Sequence, residues 1–342
     1  LGSIYNFLIG SFEVLAFLVI VAVVVFWIRR NIIRLQRFIK PEMEGWPKKD
    51  GNMILYIELV LMTLFLTMNA ADSQLQQLGA EHYVQAGSFP ISQFILPLLD
   101  GLSASTLIFI ERTAWWLHIL GILAFLNYLY YSKHLHILLA FPNTYYGKVK
   151  PKGTLNNLES VTNEVKLMMD PKADPFAAPP EGAEAAVPEK FGASDVMDLN
   201  WVQLLNAYTC TECGRCTSEC PANLTGKKLS PRKIMMDTRD RLEEVGKNMD
   251  ANKGEFVPDG KQLLDDYISR EELWACTTCN ACVQACPVSI DPLSIIIEMR
   301  RFLVMEQSAA PMELNNMMSN IENNGAPWPY NQMDRLNWKD EN

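Results

Sequence analysis

The chain is poor in positive charge and in histidine. Its 342 residues include 30 lysines and arginines against 39 aspartates and glutamates, which gives a formal net charge of −9 at pH 7. A nucleic-acid partner would need a basic face, so this balance argues against one. The only histidines are His82, His118, His134 and His136.

Cysteine is absent outside two short runs. CTECGRCTSECP begins at Cys210 and CTTCNACVQACP begins at Cys276, and together they hold all 8 cysteines of the chain. Disulfides would be expected in a short secreted chain. In a longer chain, two runs of identical spacing, each followed by proline, favour metal ligation instead.

The spacing C-x2-C-x2-C-x3-C-P is that of bacterial ferredoxins, and it indicates [4Fe–4S] clusters rather than zinc. Three closely spaced thiolates reach one cubane, while the fourth ligates the other cluster in two-cluster proteins. The predicted ligands are Cys210, Cys213, Cys216 and Cys286 for the first cluster, and Cys276, Cys279, Cys282 and Cys220 for the second.

The first part of the chain, in contrast, contains long apolar blocks. Residues 7–28, 53–71 and 114–131 are each predicted to span a membrane. No cleavable signal peptide is evident, because no basic region precedes the first block and no small-residue cleavage site follows it. The loop after the first block is rich in arginine and lysine, which places it on the cytoplasmic side.

These features predict a multi-pass protein of the inner (cytoplasmic) membrane, with its N-terminus outside and its cysteine domain cytoplasmic. The stretch 91–110 is also apolar, but a proline and an Asp-Gly pair interrupt it. A fourth crossing there would move the cysteines to the opposite side from the basic loop. We therefore expect a short outer-surface or re-entrant piece near 91–100, with residues from about Ser103 joining the third span.

The histidines are candidate ligands for haem b. On an unbroken helix, His118 and His136 would share one face and stand about 27 Å apart, which suits axial ligands of two stacked haems. The second block holds no histidine, so only His82, in the outer loop, remains as a partner for His118. The alternative for His134 and His136 is a position among lipid headgroups.

Glu58 is an ionisable residue about one turn inside the second block. Such a residue is costly in a span and is a functional candidate by default. Together with His134, which is expected at the same end, Glu58 is predicted to exchange protons with a quinone. The alternative is that Glu58 reaches the membrane surface or pairs with Lys133.

Four segments are predicted: a transmembrane domain (1–145), a linker (146–194), a dicluster ferredoxin domain (195–307) and an extended, partner-docking tail (308–342). The stretch 168–190 is rich in Pro, Ala and Glu and is expected to be extended or disordered.

Helix-start signals at Ser230 and Ser269 indicate an α-helical ferredoxin. The expected fold class is therefore mostly α, with about three spans followed by an α-helical domain that holds two clusters. Four basic residues after Ser230 form either a docking face or a solvated helix face: Arg232, Lys233, Arg239 and Arg241.

With these residues in view, the chain resembles the membrane-bound iron–sulfur subunits related to heterodisulfide reductase. The cysteine runs carry the ferredoxin part, and WWLHILGILAFLNYLYYSKHLHILLAFPN (115–143) is similar to the gamma subunit of respiratory nitrate reductase. The resemblance implies that His118 and His136 fall where that family places haem ligands. It also implies a separate catalytic subunit, because this chain stops after ENNGAPW, where relatives often continue into a domain with CCG motifs.

The expected function is that of a membrane-anchored electron-transfer subunit. It would relay electrons between a cytoplasmic donor or catalytic subunit, either a CCG-domain iron–sulfur protein or a flavoprotein, and the menaquinone pool. One alternative is a tether for a separate CCG-domain subunit, with no quinone site of its own. The other is a redox sensor whose clusters report rather than conduct.

Overall fold

The computed structural model describes residues 2–151, 153–170 and 190–340. Within these ranges the regular structure consists of helices, and no strand is formed. The predicted mostly α fold class is confirmed. The chain divides into two compact units: a membrane unit (Leu1–Tyr146 with Tyr208–Ser218) and a C-terminal unit (Gly147–Ala207 with Glu219–Asn342).

The first five helices belong to the membrane unit. They are α1 (Gly2–Asn31), α2 (Trp46–Gln77), α3 (Leu96–Leu99), α4 (Ala104–Leu129) and α5 (His136–Tyr145). The helices α1, α2 and α4 are long and apolar enough to cross a membrane, as predicted. We call the end where α1 and α4 finish and α2 begins the basic end of the membrane unit.

The packing of α2 against its neighbours organises this unit. It contacts α1, α3 and α4, and Ala70, Ala71 and Leu75 form a buried cluster with Leu99 and Leu107. Small side chains on α2 let the helices approach closely. The stretch 91–110 forms no fourth long helix, because the turn Ser92–Phe94 and the four-residue α3 precede α4.

The helix that carries His118 does not continue to His136. After α4 ends at Leu129, Ser132 has extended backbone angles, and its hydroxyl accepts a hydrogen bond from the His134 N–H to start a 3-10 turn at Lys133–Leu135. The expectation of one unbroken helix face is therefore wrong. The helix breaks at this point because Asp50 of α2 accepts hydrogen bonds from the Ser132 hydroxyl and the Lys133 N–H.

Ten further helices follow in the described part of the chain. They are α6 (Glu159–Met169), α7 (Trp201–Thr209), α8 (Arg215–Ser218), α9 (Pro221–Leu224), α10 (Pro231–Ala251), α11 (Leu263–Asp266), α12 (Arg270–Ala275), α13 (Ala281–Ala285), α14 (Pro292–Arg301) and α15 (Met312–Asn324).

Local signals explain where the helices of the C-terminal unit begin. Ser230 caps α10 and is followed by proline, and Ser269 with Glu272 forms a capping box at α12. The core packs α10 and α12 against α14. Position 192 admits only glycine for two reasons. Its φ angle is positive, and a Cβ at this position would lie 2.2 Å from the Glu298 carbonyl oxygen.

The structure differs from the sequence-based expectations in the tail, in the basic residues after Ser230 and in the linker. The tail is not simply extended, because α15 occupies Met312–Asn324. Arg232 and Arg241 are buried and so form neither a docking face nor a solvated face. The linker is partly helical, since α6 lies within it, while most of the stretch 168–190 lies outside the described residues.

Candidate functional site

The two cysteine runs adopt the same backbone conformation. Glu212 and Thr278, each two residues after the first cysteine of a run, have φ angles of 57° and 55°. Gly214 and Asn280, each just after the second cysteine, have φ angles of 73° and 60°. Left-handed residues turn the chain sharply, so three cysteines of a run can serve one cluster.

Each loop also donates a backbone hydrogen bond to its first sulfur. The Glu212 N–H lies 3.4 Å from Cys210 Sγ, and the Thr278 N–H lies 3.4 Å from Cys276 Sγ. Hydrogen bonds to ligating sulfurs are one of the levers that set cluster potentials. The loops therefore resemble each other in conformation and in this contact.

The cysteines predicted to hold the second cluster lie together within the C-terminal unit. Burial raises the pKa of Cys282 to about 12, and the charges of Cys276 and Cys220 act in the same direction. Burial also raises the pKa of Cys276, and Cys220 and Cys279 add to that effect. Grouped soft thiols of this kind fit an iron–sulfur cluster, because a coordinating metal deprotonates them.

No three His, Cys, Asp or Glu side chains in the described ranges are spaced to hold a single metal ion. A four-iron cubane is wider than one ion, and its thiolates stand further apart. Arg300 supplies a positive charge beside this donor set, since its guanidinium donates to the Cys276 carbonyl at 2.6 Å and lies over the ring of Trp274.

The first cysteine loop packs on the basic end of the membrane unit. Helix α8 contacts the turn Gln36–Phe38 that follows α1. The Lys133 ammonium binds Glu212, lies 4.0 Å from Asp50 and donates to the Pro47 carbonyl at 2.7 Å. Lys133 thus pairs with Asp50 and Glu212, and the alternative in which it pairs with Glu58 is wrong.

Glu58 and His134 lie together at this end. Glu58 Oε1 and His134 Nε2 are 3.6 Å apart, and both side chains are partly exposed. The His134 ring packs against Phe125 and His136, with ring centroids 5.4 and 5.6 Å away. Burial lowers the pKa of His134, and His136 adds to the effect, which favours the neutral imidazole.

An apolar groove of about 450 Å³ lies between α2 and α4, and one of its lining residues, Phe125, contacts the His134 ring. Ile57 and Leu61 line it from α2, and Gly121, Phe125 and Tyr128 line it from α4. A Cβ at Gly121 would lie 2.7 Å from the Leu61 side chain, so glycine lets α2 and α4 approach closely at the groove. Clefts of this volume and character hold small apolar ligands.

The candidate haem ligands are not arranged as expected. The His82 side chain is 87% exposed and lies 3.8 Å from Glu81. His118 Nδ1 is 2.9 Å from the Leu61 carbonyl, and His136 Nδ1 is 3.1 Å from the Lys133 carbonyl. His118 and His136 lie on different helices, so they do not share the single helix face expected for the ligands of two stacked haems. Haem b therefore has no support.

Sequence reasoning missed a buried carboxylate in the first span. Glu13 is completely buried and accepts hydrogen bonds from Asn69 of α2, from the Ile91 and Ser92 N–H groups and from the Ser92 hydroxyl. It ties the short piece before α4 to α1 and α2. The signal was present, because Glu13 is an ionisable residue inside an apolar block just as Glu58 is.

The fold and the cysteine loops define a membrane protein with a dicluster iron–sulfur domain, and residues 209–290 match the family model of the 4Fe-4S dicluster domain. The probable iron-sulfur-binding oxidoreductase FadF of Bacillus subtilis is 30% identical over 370 aligned positions, which cover 100% of this chain and 47% of FadF. The EtfAB:quinone oxidoreductase of Syntrophomonas wolfei is 28% identical over 98% of this chain and 46% of its own length.

One subunit of a CoB-CoM heterodisulfide reductase from Methanosarcina acetivorans is 32% identical over 35% of this chain and 60% of its own length. These relatives are named as iron–sulfur or quinone oxidoreductases and as a heterodisulfide reductase subunit, this chain carries the 4Fe-4S dicluster domain, and the expected resemblance is confirmed. It spans about half the length of the first two relatives. No solved structure matches the chain.

Proposed function

We propose that the chain relays electrons between its [4Fe–4S] clusters and a quinone bound in the groove between α2 and α4. The observation that carries this proposal is the Glu58–His134 pair, 3.6 Å apart, whose imidazole contacts Phe125 of the apolar groove. The pair and the groove belong to the same compact unit as the first cysteine loop. The name of the quinone oxidoreductase relative supports a quinone as the substrate.

The chemistry of the site divides among these parts. When bound, the clusters supply or accept single electrons. The groove holds the apolar quinone, and Phe125 and Tyr128 line it where it approaches His134. A quinone that takes two electrons and two protons leaves as quinol, and the Glu58–His134 pair passes one of those protons to it. Quinol oxidation uses the same residues in reverse.

The partner and the topology belong to this proposal. We place the basic end on the cytoplasmic side, since Arg29 and Arg30 close α1 there. We propose a flavoprotein or a CCG-domain iron–sulfur subunit as the electron donor, and the heterodisulfide reductase relative is likewise named as a subunit. Exposed apolar side chains along the tail support its role in docking that subunit: Met312, Trp328, Met333 and Trp338.

Quinone turnover should depend strongly on Glu58. We expect Glu58→Gln to slow reoxidation of reduced clusters by a menaquinone analogue by roughly 10²-fold or more, the usual contribution of a positioned acid or base. The measurement is stopped-flow absorbance of the full chain in detergent. Glu81→Gln, which changes an exposed carboxylate outside the groove, is the matched control and should leave the rate unchanged.

Blocking the groove separates binding from proton exchange. Ala124 lines the groove, whereas the neighbouring Leu123 is 52% exposed on the same helix. Ala124→Phe should raise the KM for the quinone analogue by about tenfold or more, which corresponds to about 1.4 kcal/mol of binding energy, and Leu123→Phe should not. Unchanged turnover in both Glu58→Gln and Ala124→Phe would favour the tether, and no turnover with any quinone would favour the sensor.

A further inference from the structure

The first cysteine loop carries a buried carboxylate that the second loop lacks. Glu212 is two residues after Cys210, and Thr278 occupies the same place after Cys276 with the same left-handed backbone. The Glu212 side chain is 2% exposed. A buried negative charge beside a cluster opposes the addition of an electron, because net charge is one of the terms that set the potential.

The cation that offsets this charge comes from the membrane unit. Lys133, 8% exposed, binds Glu212 and also lies close to Asp50. Its neighbour in sequence is His134, which contacts Glu58. A run of two residues therefore touches both the first cysteine loop and the proposed proton-exchange pair.

We propose that Lys133 is a positioning residue for electron transfer, and that the cluster bound by the first cysteine run is the one that exchanges electrons with the quinone. The inference rests on the proposed quinone function. Lys133 holds the first loop on the basic end of the membrane unit through Glu212 and Asp50. Its charge also offsets that of Glu212, so the adjacent cluster can be reduced.

The reduction of a quinone to a quinol needs two electrons and two protons. A bound quinone would take two electrons, one at a time, from the cluster that the first run would hold, and two protons, at least one of them through the Glu58–His134 pair. The cluster is oxidised at each transfer and is reduced again by the donor subunit. The source of the electrons is thus the proposed donor subunit.

A potentiometric titration followed by electron paramagnetic resonance tests the inference on the full chain. Lys133→Met should lower the equilibrium constant for reduction of the first run's cluster by about tenfold, which is about 59 mV for one electron. Glu212→Gln should shift the same cluster upward, and the double variant should return close to the unmodified value. Lys133→Arg keeps the charge and should shift the potential much less.

The signals are assigned to each cluster with Cys213→Ser and Cys279→Ser. Lys228→Met, which removes an exposed lysine paired with Glu271, is the matched control and should move neither potential. A shift in the second run's cluster, no shift at all, or a double variant that fails to return would overturn the inference. Glu212→Gln keeps the test open if Lys133→Met does not fold.

The titration uses chemical mediators, so its result does not depend on whether a quinone binds. Freeze-quench resonance with a reduced menaquinone analogue then gives the order of reduction. The first run's cluster should be reduced first, and reduction of the second run's cluster first would overturn the inference. If the quinol reduces neither cluster while the potentials shift as expected, the quinone function fails and the charge role of Lys133 stands.

Discussion

Replacing Cys220 with serine should destroy or convert the cluster of the second cysteine run, not that of its own run. Cys220 belongs to the C-terminal unit together with Cys276, Cys279 and Cys282, whereas Cys210–Cys216 belong to the membrane unit. The Cys220 thiol also acts on the pKa of Cys276 and of Cys282, whose dominant shift comes from burial. Serine keeps the size of the side chain but replaces a soft thiolate with a hard oxygen.

The measurement is iron content together with electron paramagnetic resonance of the dithionite-reduced protein. We expect the iron to fall from about eight toward about four per chain, as two four-iron clusters imply, or the altered cluster to change its signal. Cys279→Ser should alter the same signal, and Cys213→Ser the other one. If Cys220→Ser and Cys213→Ser alter one and the same signal, each run ligates its own cluster and the predicted ligand exchange is wrong.

The variant Arg241→Met should destabilise the C-terminal unit by about 3–5 kcal/mol, the usual cost of breaking a buried ion pair by removing one partner. Arg241 is 0% exposed and donates to Asp195 at 2.8 Å, to Asp259 at 2.6 Å and to the Lys261 carbonyl at 2.8 Å. Methionine fills much of the volume but leaves both carboxylates without this cation. Asp195 also caps the turn Val196–Asp198, so the loss of Arg241 also affects this turn.

Chemical denaturation followed by circular dichroism and by the visible iron–sulfur absorbance measures this loss. Lys247→Met removes an exposed lysine that lies 3.9 Å from Glu243 and should change stability by less than about 0.5 kcal/mol. A similar midpoint for Arg241→Met and Lys247→Met would contradict the structural role of Arg241.

The pH dependence offers a second check on Arg241. Its hydrogen bond lowers the pKa of Asp259 from 3.8 to about 2. A carboxyl group whose pKa is lowered by folding stabilises the folded state at every pH above its pKa in the unfolded chain. That contribution is lost as the pH falls from about 4 through about 2. We expect this part of the acid dependence to be absent in Arg241→Met, and its persistence there would show that another group lowers the pKa.

The residues that sequence reasoning located well are those whose chemistry is local. The spacing of the cysteines within each run is enough to predict the cofactor. Ser230 and Ser269 cap helices, and a cap involves groups that are only a few residues apart. Glu58 was singled out because a charge within an apolar block is rare. The structure then brings it to His134, a pairing that remains a prediction about function.

Other features were missed or wrong because their partners are far away in the chain. The end of α4 depends on Asp50, which is 82 residues from Ser132, so helix periodicity alone carried the expected helix on to His136. Lys133 pairs with Glu212 and not with Glu58, and Glu212 is 79 residues away from Lys133 in the sequence. The burial of Arg241 depends on Asp195 and Asp259, which are 46 and 18 residues away.

The sequence by itself determined that this protein has apolar helices long enough to cross a membrane and a dicluster iron–sulfur domain. Helix length, hydropathy and cysteine spacing are properties of neighbouring residues, and no distant contact is needed to set them. Only the tertiary structure decided which partners the buried ionisable side chains meet: Glu13 meets Ser92, Lys133 meets Glu212, and Arg241 meets Asp195. A buried charge must find a partner, and which partner lies within reach depends on how the helices pack.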